Sequence, residues 1–193
     1  NNIENKTLIF YTNGLLGSRK SQTYSNFNDF MYNLSYWSSW SNGFNIWKSE
    51  FDKIDKNLKL NKLFPHTSLF LTQHQAKLFC INDNLLFDVQ RIPKRGGHNK
   101  FEAFTIEYPS LLDECCKKGH ISTKCKKHIL FGIMVQFLPS LLFNKYIIRI
   151  ETFDDTGFRN NLKKYYPSYA YWLVLISVLG VPFRLFCRCL LYT

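Results

Sequence analysis

The sequence predicts an α+β fold: antiparallel strands with one amphipathic helix, followed by a C-terminal transmembrane-type helix. Three observations lead there. Tyr169–Phe183 (YAYWLVLISVLGVPF) is fifteen residues without a charge, with Lys163 and Lys164 before it and Arg184 and Arg188 after it. Apolar residues recur at helical spacing between positions 45 and 63. Short Leu- and Phe-rich runs alternate with polar turns from 67 to 108. The chain accordingly divides into an α+β membrane-proximal domain, residues 1–168, and an apolar membrane segment with a basic exit, residues 169–193.

In chain order, Lys6–Tyr11 (KTLIFY) and Ser21–Phe30 read as paired strands, joined by the turn-like stretch from Asn13-Gly14 to Gly17. Tyr36, Trp37, Trp40 and Phe44 supply aromatic anchors. Asn45–Leu63 is the clearest helix: Trp47, Phe51, Ile54 and Leu58 fall on one face, Asn45 is placed to cap it, and Pro65 ends it. Glu50, Asp52 and Asp55 alternate with lysines on the opposite face. That is the pattern of a solvated surface rather than of paired catalytic carboxylates. Thr67–Leu71, Ala76–Ile81 and Leu85–Gln90 read as a meander, Ile92–Lys100 as a loop and Phe101–Tyr108 as a further strand. Ile129–Phe143 (ILFGIMVQFLPSLLF) is interrupted by Gln136, Pro139 and Ser140. It fits a re-entrant or interfacial hairpin, or two strands broken at Leu138-Pro139. Strands are favoured because Lys145–Glu151 continues in alternation. Thr156–Tyr166 is a short helix leading into Pro167 and the apolar segment.

Fifteen residues are fewer than the roughly 20 that a spanning helix needs. Tyr169, Tyr171 and Trp172 nevertheless sit where an aromatic belt would lie. Arg184 and Arg188 have stems long enough to reach a headgroup layer. The alternative is a buried helix kinked at Pro182. Spanning is favoured over lying flat because the run is apolar all round. Basic residues on both sides give no orientation. Cys187 and Cys189, just beyond the run, are candidates for lipidation, or inert thiols at a membrane edge. No signal peptide is visible, and a chain that does not begin with Met reads as a fragment.

Composition narrows the classes further. An apolar content of 46% with 18 Phe and 11 Tyr excludes global disorder. Six cysteines without regular spacing, in 193 residues, exclude a disulfide scaffold. A net charge of +11 suits nucleic acid or an anionic membrane surface. The basic residues are scattered, which favours surface and juxtamembrane lysine. The expected partners are therefore membrane lipids and other membrane proteins, with nucleic acid the lesser expectation and a membrane the expected location.

Chemistry-bearing patterns are few. Cys115-Cys116-x3-His120-x4-Cys125-x2-His128 brings thiols and imidazoles close in sequence. A tetrahedral zinc set of Cys116, His120, Cys125 and His128, with Cys115 as alternate, can be drawn from it. The lysines between these residues would suit a zinc-dependent nucleic-acid-binding module. The usual C-x2-C opening is absent, however, and free thiols or a Cys116–Cys125 disulfide compete with the metal. His98 follows Arg95-Gly96-Gly97 in what reads as a plain turn. Cys80, within a Leu/Phe run, reads as a core residue. Asn5-Lys6-Thr7 and Asn33-Leu34-Ser35 fit the glycosylation acceptor, a match of small weight in an Asn-rich chain. No hydrolase, zinc-protease or paired-Asp signature is present, so no residue is assigned to catalysis.

Tyr11-Thr12-Asn13-Gly14 followed by Gln22-Thr23-Tyr24, then Phe158-Arg159 leading to Tyr166-Pro167, then an aromatic-led apolar run closing on Pro182-Phe183-Arg184, occur in that order. Together they resemble the transmembrane protein 151 family, multi-pass membrane proteins without an established biochemical activity. The motifs touch a small share of the chain, and residues 81–145 have no counterpart. The resemblance implies a membrane protein with a cytosolic β-rich domain and no catalytic residues to carry over. The function expected is thus that of an integral membrane protein whose membrane-proximal domain mediates protein or lipid-surface interaction.

Overall fold

The computed structural model describes residues 7–88 and 99–184. It combines helices with a small three-stranded sheet and divides into two compact units. Asn1–Gln90 and Leu111–Ile129 form the first, Arg91–Ser110 and Leu130–Thr193 the second. Residues 169–184 of the apolar C-terminal stretch fall in the second unit.

In the first unit, β1 (Leu8–Tyr11) and β2 (Ser21–Tyr24) are strands as expected, but they do not pair with each other. β3 (Phe79–Asn82) lies between them, parallel to β1 and antiparallel to β2. The two edge strands differ in burial. Leu8, Ile9 and Phe10 are consecutive and all buried, the pattern of a strand covered on both faces. β2, Ser-Gln-Thr-Tyr, is polar and mostly exposed, which suits an edge.

The second half of the expected Ser21–Phe30 strand is α1 (Phe27–Leu34). Asn26 caps it by accepting from the Asp29 N–H at 2.8 Å, and its own amide donates to the Asp29 carboxylate at 2.9 Å. Phe27, Phe30, Met31 and Leu34 form its buried stripe. Phe30 meets Tyr24, Phe27, Phe70 and Phe79 with ring centroids 5.2–6.2 Å apart, the aromatic centre of this unit.

The expected helix over Asn45–Leu63 shrinks to one turn, α2 (Lys48–Phe51). Asp and Asn side chains capture the backbone that a longer helix would need. Asp55 Oδ1 accepts from Asn57 N–H, and Asn61 Oδ1 accepts from Leu63 and Phe64 N–H. Trp47 and Phe51 are consequently exposed, although Trp47 Nε1 donates to the Thr7 carbonyl at 2.9 Å. Thr67–Leu71, expected as a strand, lies in α3 (Pro65–Leu71), which Pro65 opens with its pre-set φ. Ala76–Ile81 contains most of β3. Leu85–Asp88 is not a strand, because Asn13 Oδ1 takes the Leu86 and Phe87 N–H groups that a ladder would use. Asn13 Nδ2 also donates to the Phe87 carbonyl at 2.8 Å. Gln90 and most of the expected loop, His98 included, lie outside the described residues.

Asp83, fully buried at the end of β3, fixes the loop between β1 and β2. It accepts from Thr12 Oγ1 at 2.6 Å, from Ser18 Oγ at 3.0 Å, and from the N–H groups of Leu16, Ser18 and Arg19 at 2.8–3.1 Å. Burial raises its pKa, and these hydrogen bonds outweigh burial, so the carboxyl stays below its ordinary range.

Two further expectations of strand are corrected to helix. Phe101–Tyr108 runs through α4 (Lys100–Glu102), a π-turn at Ala103–Glu107, and the start of α5 (Tyr108–Lys117). Phe101, Phe104 and Tyr108 satisfy helical spacing as well as alternation suggests a strand, and Asn99 caps the start by accepting from Glu102 N–H. Ile129–Phe143 lies within one continuous helix, Thr123–Ile147. This helix comprises α6 (Thr123–Gly132), a π-turn at Ile133–Phe137, α7 (Leu138–Leu142) and a second π-turn at Phe143–Ile147. Pro139 falls in the first turn of α7, just beyond a π-turn, where a missing N–H is tolerated. Lys145–Glu151 therefore starts in helix, and Arg149, with φ +60°, turns the chain after it. The expected helix near Thr156–Tyr166 is present as α8 (Phe158–Tyr165), and α9 (Ala170–Val178) follows.

Candidate membrane-facing surface

Among the described residues one helix, Thr123–Ile147, is long and apolar enough to cross a membrane. Its 25 residues extend about 37 Å at 1.5 Å each, against a hydrocarbon core of about 30 Å. Its most apolar stretch is 56% buried inside the protein, and across Ile129–Phe143 only Phe131 and Gln136 are exposed. The nine residues of α9 extend only about 14 Å, well short of a span.

What α9 offers instead is an ordered apolar face. Tyr169, Trp172, Ile176, Leu179 and Phe183 follow one another at spacings of three and four. Each is strongly exposed, from 58% at Trp172 to 81% at Leu179. Ala170, Val174 and Val181 are the buried side. An ordinary surface helix puts apolar residues inward and polar residues outward, and here both sides are apolar. Tyr146, Ile147, Ile148 and Ile150, at the end of the long helix, are also exposed. Contiguous exposed apolar surface of this kind marks an interaction site or a membrane contact.

The polar groups of the second unit are held in two ways. The Arg159 guanidinium stacks over Tyr171 at 5.1 Å and over Trp172 at 5.7 Å, at the start of the apolar face. Arg184, expected to extend toward headgroups, folds back: Nη1 donates to the Val135 carbonyl at 2.7 Å and Nη2 to the Ser177 carbonyl at 3.4 Å. The first partner has a covalent origin. Pro139 has no N–H to give the carbonyl four residues back, which is that of Val135. The second places a cation at the carbonyl end of α9. Lys145 Nζ likewise turns onto the Phe153 carbonyl and the Asp155 carboxylate, both at 2.7 Å. Tyr166 is buried before α9 and donates to the Phe104 carbonyl at 2.8 Å, and burial raises its pKa well above the ordinary value. Tyr169 and Trp172 of the expected aromatic belt face outward, whereas Tyr171 turns toward Phe158, with ring centroids 6.0 Å apart. Arg188, Cys187 and Cys189 lie outside the described residues.

The Cys/His set lies in the first unit. α5 ends at Gly119 (φ +76°), with the N–H groups of Gly119 and His120 returning to the carbonyls of Cys116 and Cys115. α6 is capped by Ser122 Oγ, which accepts from Cys125 N–H. Asp113 ties the two helices by accepting from Lys126 at 2.7 Å and from Lys117 at 2.9 Å. Within this hairpin the four expected zinc ligands take separate partners. Cys116 Sγ sits 3.7 Å from Thr123 Oγ1, and buried Cys125 donates to the Asn28 carbonyl. His128 stacks on Tyr32 with centroids 3.9 Å apart, and His120 stacks on His74 at 3.5 Å. Burial, then the neighbouring thiols, push the Cys115 thiol up to about 12, so it is neutral. Cys80, Cys115, Cys116 and Cys125 are all free thiols. Among the described residues no group of three or more His, Cys, Asp or Glu side chains is placed to hold a metal ion.

The His74–His120 pair borders a cleft of about 240 Å³ that Ser68, Thr72 and Glu114 also line. His74 is remote from the Cys/His run in sequence, so spacing gave no sign of this pairing. The outward stripe of α9 was visible as an uncharged run, but its division into faces needed the structure. In comparisons with protein-family models, curated proteins and solved structures, the chain matches none.

Proposed function

We propose that this chain is an integral membrane protein, held in the bilayer by the Thr123–Ile147 helix together with the outward face of α9. Its N-terminal unit then mediates protein or lipid-surface contacts beside the membrane. The observation that carries this reading is the row Tyr169, Trp172, Ile176, Leu179 and Phe183, exposed along α9 and the turns that flank it. In water such a row is a liability, and in lipid it is the ordinary surface. The Tyr/Trp start of that row and the adjacent Arg159 suit an interfacial level. The motifs that resemble the transmembrane protein 151 family point the same way.

The test is alkaline carbonate extraction of the expressed chain, comparing wild type with an Ile176→Gln/Leu179→Gln double variant. The wild type is expected in the membrane pellet, and the variant is expected to shift measurably toward the supernatant. Complete extraction of the wild type, as a monodisperse protein indifferent to lipid, would sink the proposal.

A further inference from the structure

Beside its outward stripe, α9 presents a second set of residues at helical spacing. Tyr171, Leu175 and Val178 line a slot of about 350 Å³, closed on the other side by Leu142, Ile147 and Phe158. The lining is almost wholly apolar. Tyr146 and Asp155 also border it, and the Tyr146 hydroxyl and Lys145 both donate to Asp155. An adjoining recess of about 360 Å³ is lined by Gly157, Arg159 and Asn160, and it shares Asp155, Phe158 and Tyr171 with the slot. An apolar slot therefore opens into a recess that carries a guanidinium.

The lining of that recess holds one cation, Arg159, and one anion, Asp155, with further lysines nearby on α8. Arg159 and Lys163 stand four residues apart on the exposed side of α8, with Lys164 beside them. Lys145, 2.7 Å from Asp155, compensates the carboxylate in the recess. Arg159 is held by the faces of Tyr171 and Trp172, which leaves its planar N–H edge to donate two parallel hydrogen bonds to the non-bridging oxygens of a phosphate.

We propose that this composite site binds one anionic phospholipid from the surrounding leaflet, one acyl chain lying in the slot along Tyr171, Leu175 and Val178 and the phosphate meeting Arg159. The inference rests on the membrane reading above and adds a lipid class and a residue that selects it. Two features of the site set the occupant. The slot is apolar along α9, and the cation stands at the end where the aromatic residues begin.

The test uses the full chain reconstituted in vesicles of phosphatidylcholine containing a fixed fraction of brominated lipid. Bromine quenches tryptophan at short range, and the Trp172 signal is isolated by subtracting a Trp172→Phe variant. Brominated phosphatidylglycerol is expected to quench Trp172 more than brominated phosphatidylcholine, with a local preference of about fivefold, as expected for one cation near a membrane surface. Arg159→Gln is expected to abolish that preference, Arg159→Lys to retain part of it, and Lys62→Gln, a charge change in the other unit, to leave it intact. Equal quenching by the two lipids in wild type, or a preference that survives in Arg159→Gln, overturns the anionic site while the membrane anchor stands. Absence of quenching by either lipid overturns the anchor and the site together.

Discussion

The two units solve the same problem in opposite directions. In the first, large rings point inward: Phe10, Phe30, Phe70 and Phe79 are at most 1% exposed. The apolar residues left outside, such as Phe51, Leu60 and Leu85, sit in irregular or single-turn segments. In the second unit, Trp172 and Ile176 stand outside on α9 and Leu179 just beyond its end, while two cations, Lys145 and Arg184, turn inward onto carbonyl oxygens. Backbone carbonyls of Phe153 and Val135 partner these two cations. What a side chain is worth therefore depends on which unit holds it.

The sharpest break of this comparison is one ring against one aliphatic side chain. Phe30→Ala is expected to destabilise the first unit by about 4 kcal/mol, because it removes the hub of the aromatic cluster and leaves a cavity. Leu179→Ala is expected to change the folding stability of the second unit by less than about 0.5 kcal/mol in detergent, since its side chain has few protein neighbours to lose. Urea or thermal unfolding of both variants checks the ratio. Equal losses would mean that Leu179 is packed, and the outward face of α9 would be lost as an explanation.

How much of this contrast was legible in the sequence depends on which signal was local. Asn26 and Asp29 bracket a helix start, and Phe27, Phe30, Met31 and Leu34 follow at helical spacing, so α1 was readable although alternation from Ser21 suggested a longer strand. α8 was read correctly because its composition admitted little else. The long helix was not readable. Gln136 and Pro139 looked like interruptions, whereas π-turns and the Arg184 side chain accommodate them. The insertion of β3 between β1 and β2 depends on pairing across some 70 residues, and no local pattern reports that. The basic end of the lipid slot depends on Arg159 meeting Trp172, a contact between two helices. The uncharged run at Tyr169–Phe183 was legible as apolar, but the helix long enough to span, Thr123–Ile147, was read as strands.

A mirrored pair sharpens the comparison at the next level. Asp83 is an anion held by donors in the first unit, and Arg184 is a cation held by acceptors in the second. Asp83→Ala is expected to cost about 3 kcal/mol, since it strands three N–H groups and two hydroxyls around a buried position. Arg184→Gln is expected to cost about 1–2 kcal/mol, because the Val135 carbonyl loses its charged donor and Pro139 cannot replace it. Paired denaturation curves give both numbers. A larger loss in Arg184→Gln than in Asp83→Ala would reverse the ordering and place the polar keystone of the molecule in the second unit.

The smallest effect comes from the stacked imidazoles of the first unit. Burial, then His74, then Lys118, hold the His120 pKa below its ordinary 6.5. Glu114 does not offset this, since its carboxylate is engaged by Lys118 at 2.6 Å. The sign follows from linkage. In the unfolded chain His120 takes up a proton as pH falls through about 6.5, while in the folded chain it resists, so protonation draws the equilibrium toward the unfolded state. The contribution is fully present above pH 6.5 and is lost progressively as pH falls through the lower folded value. Urea midpoints measured from about pH 7.5 to 5 are therefore expected to fall more steeply in wild type than in His120→Gln. Acid titration of carboxylates such as Asp83 is common to both proteins and cancels in the difference. If the two curves stay parallel, the imidazoles are already solvated, and the His74–His120 stack does not hold this part of the first unit together. A steeper fall in His120→Gln would mean that the folded state prefers the charged ring, and that an anion absent from the described residues faces it.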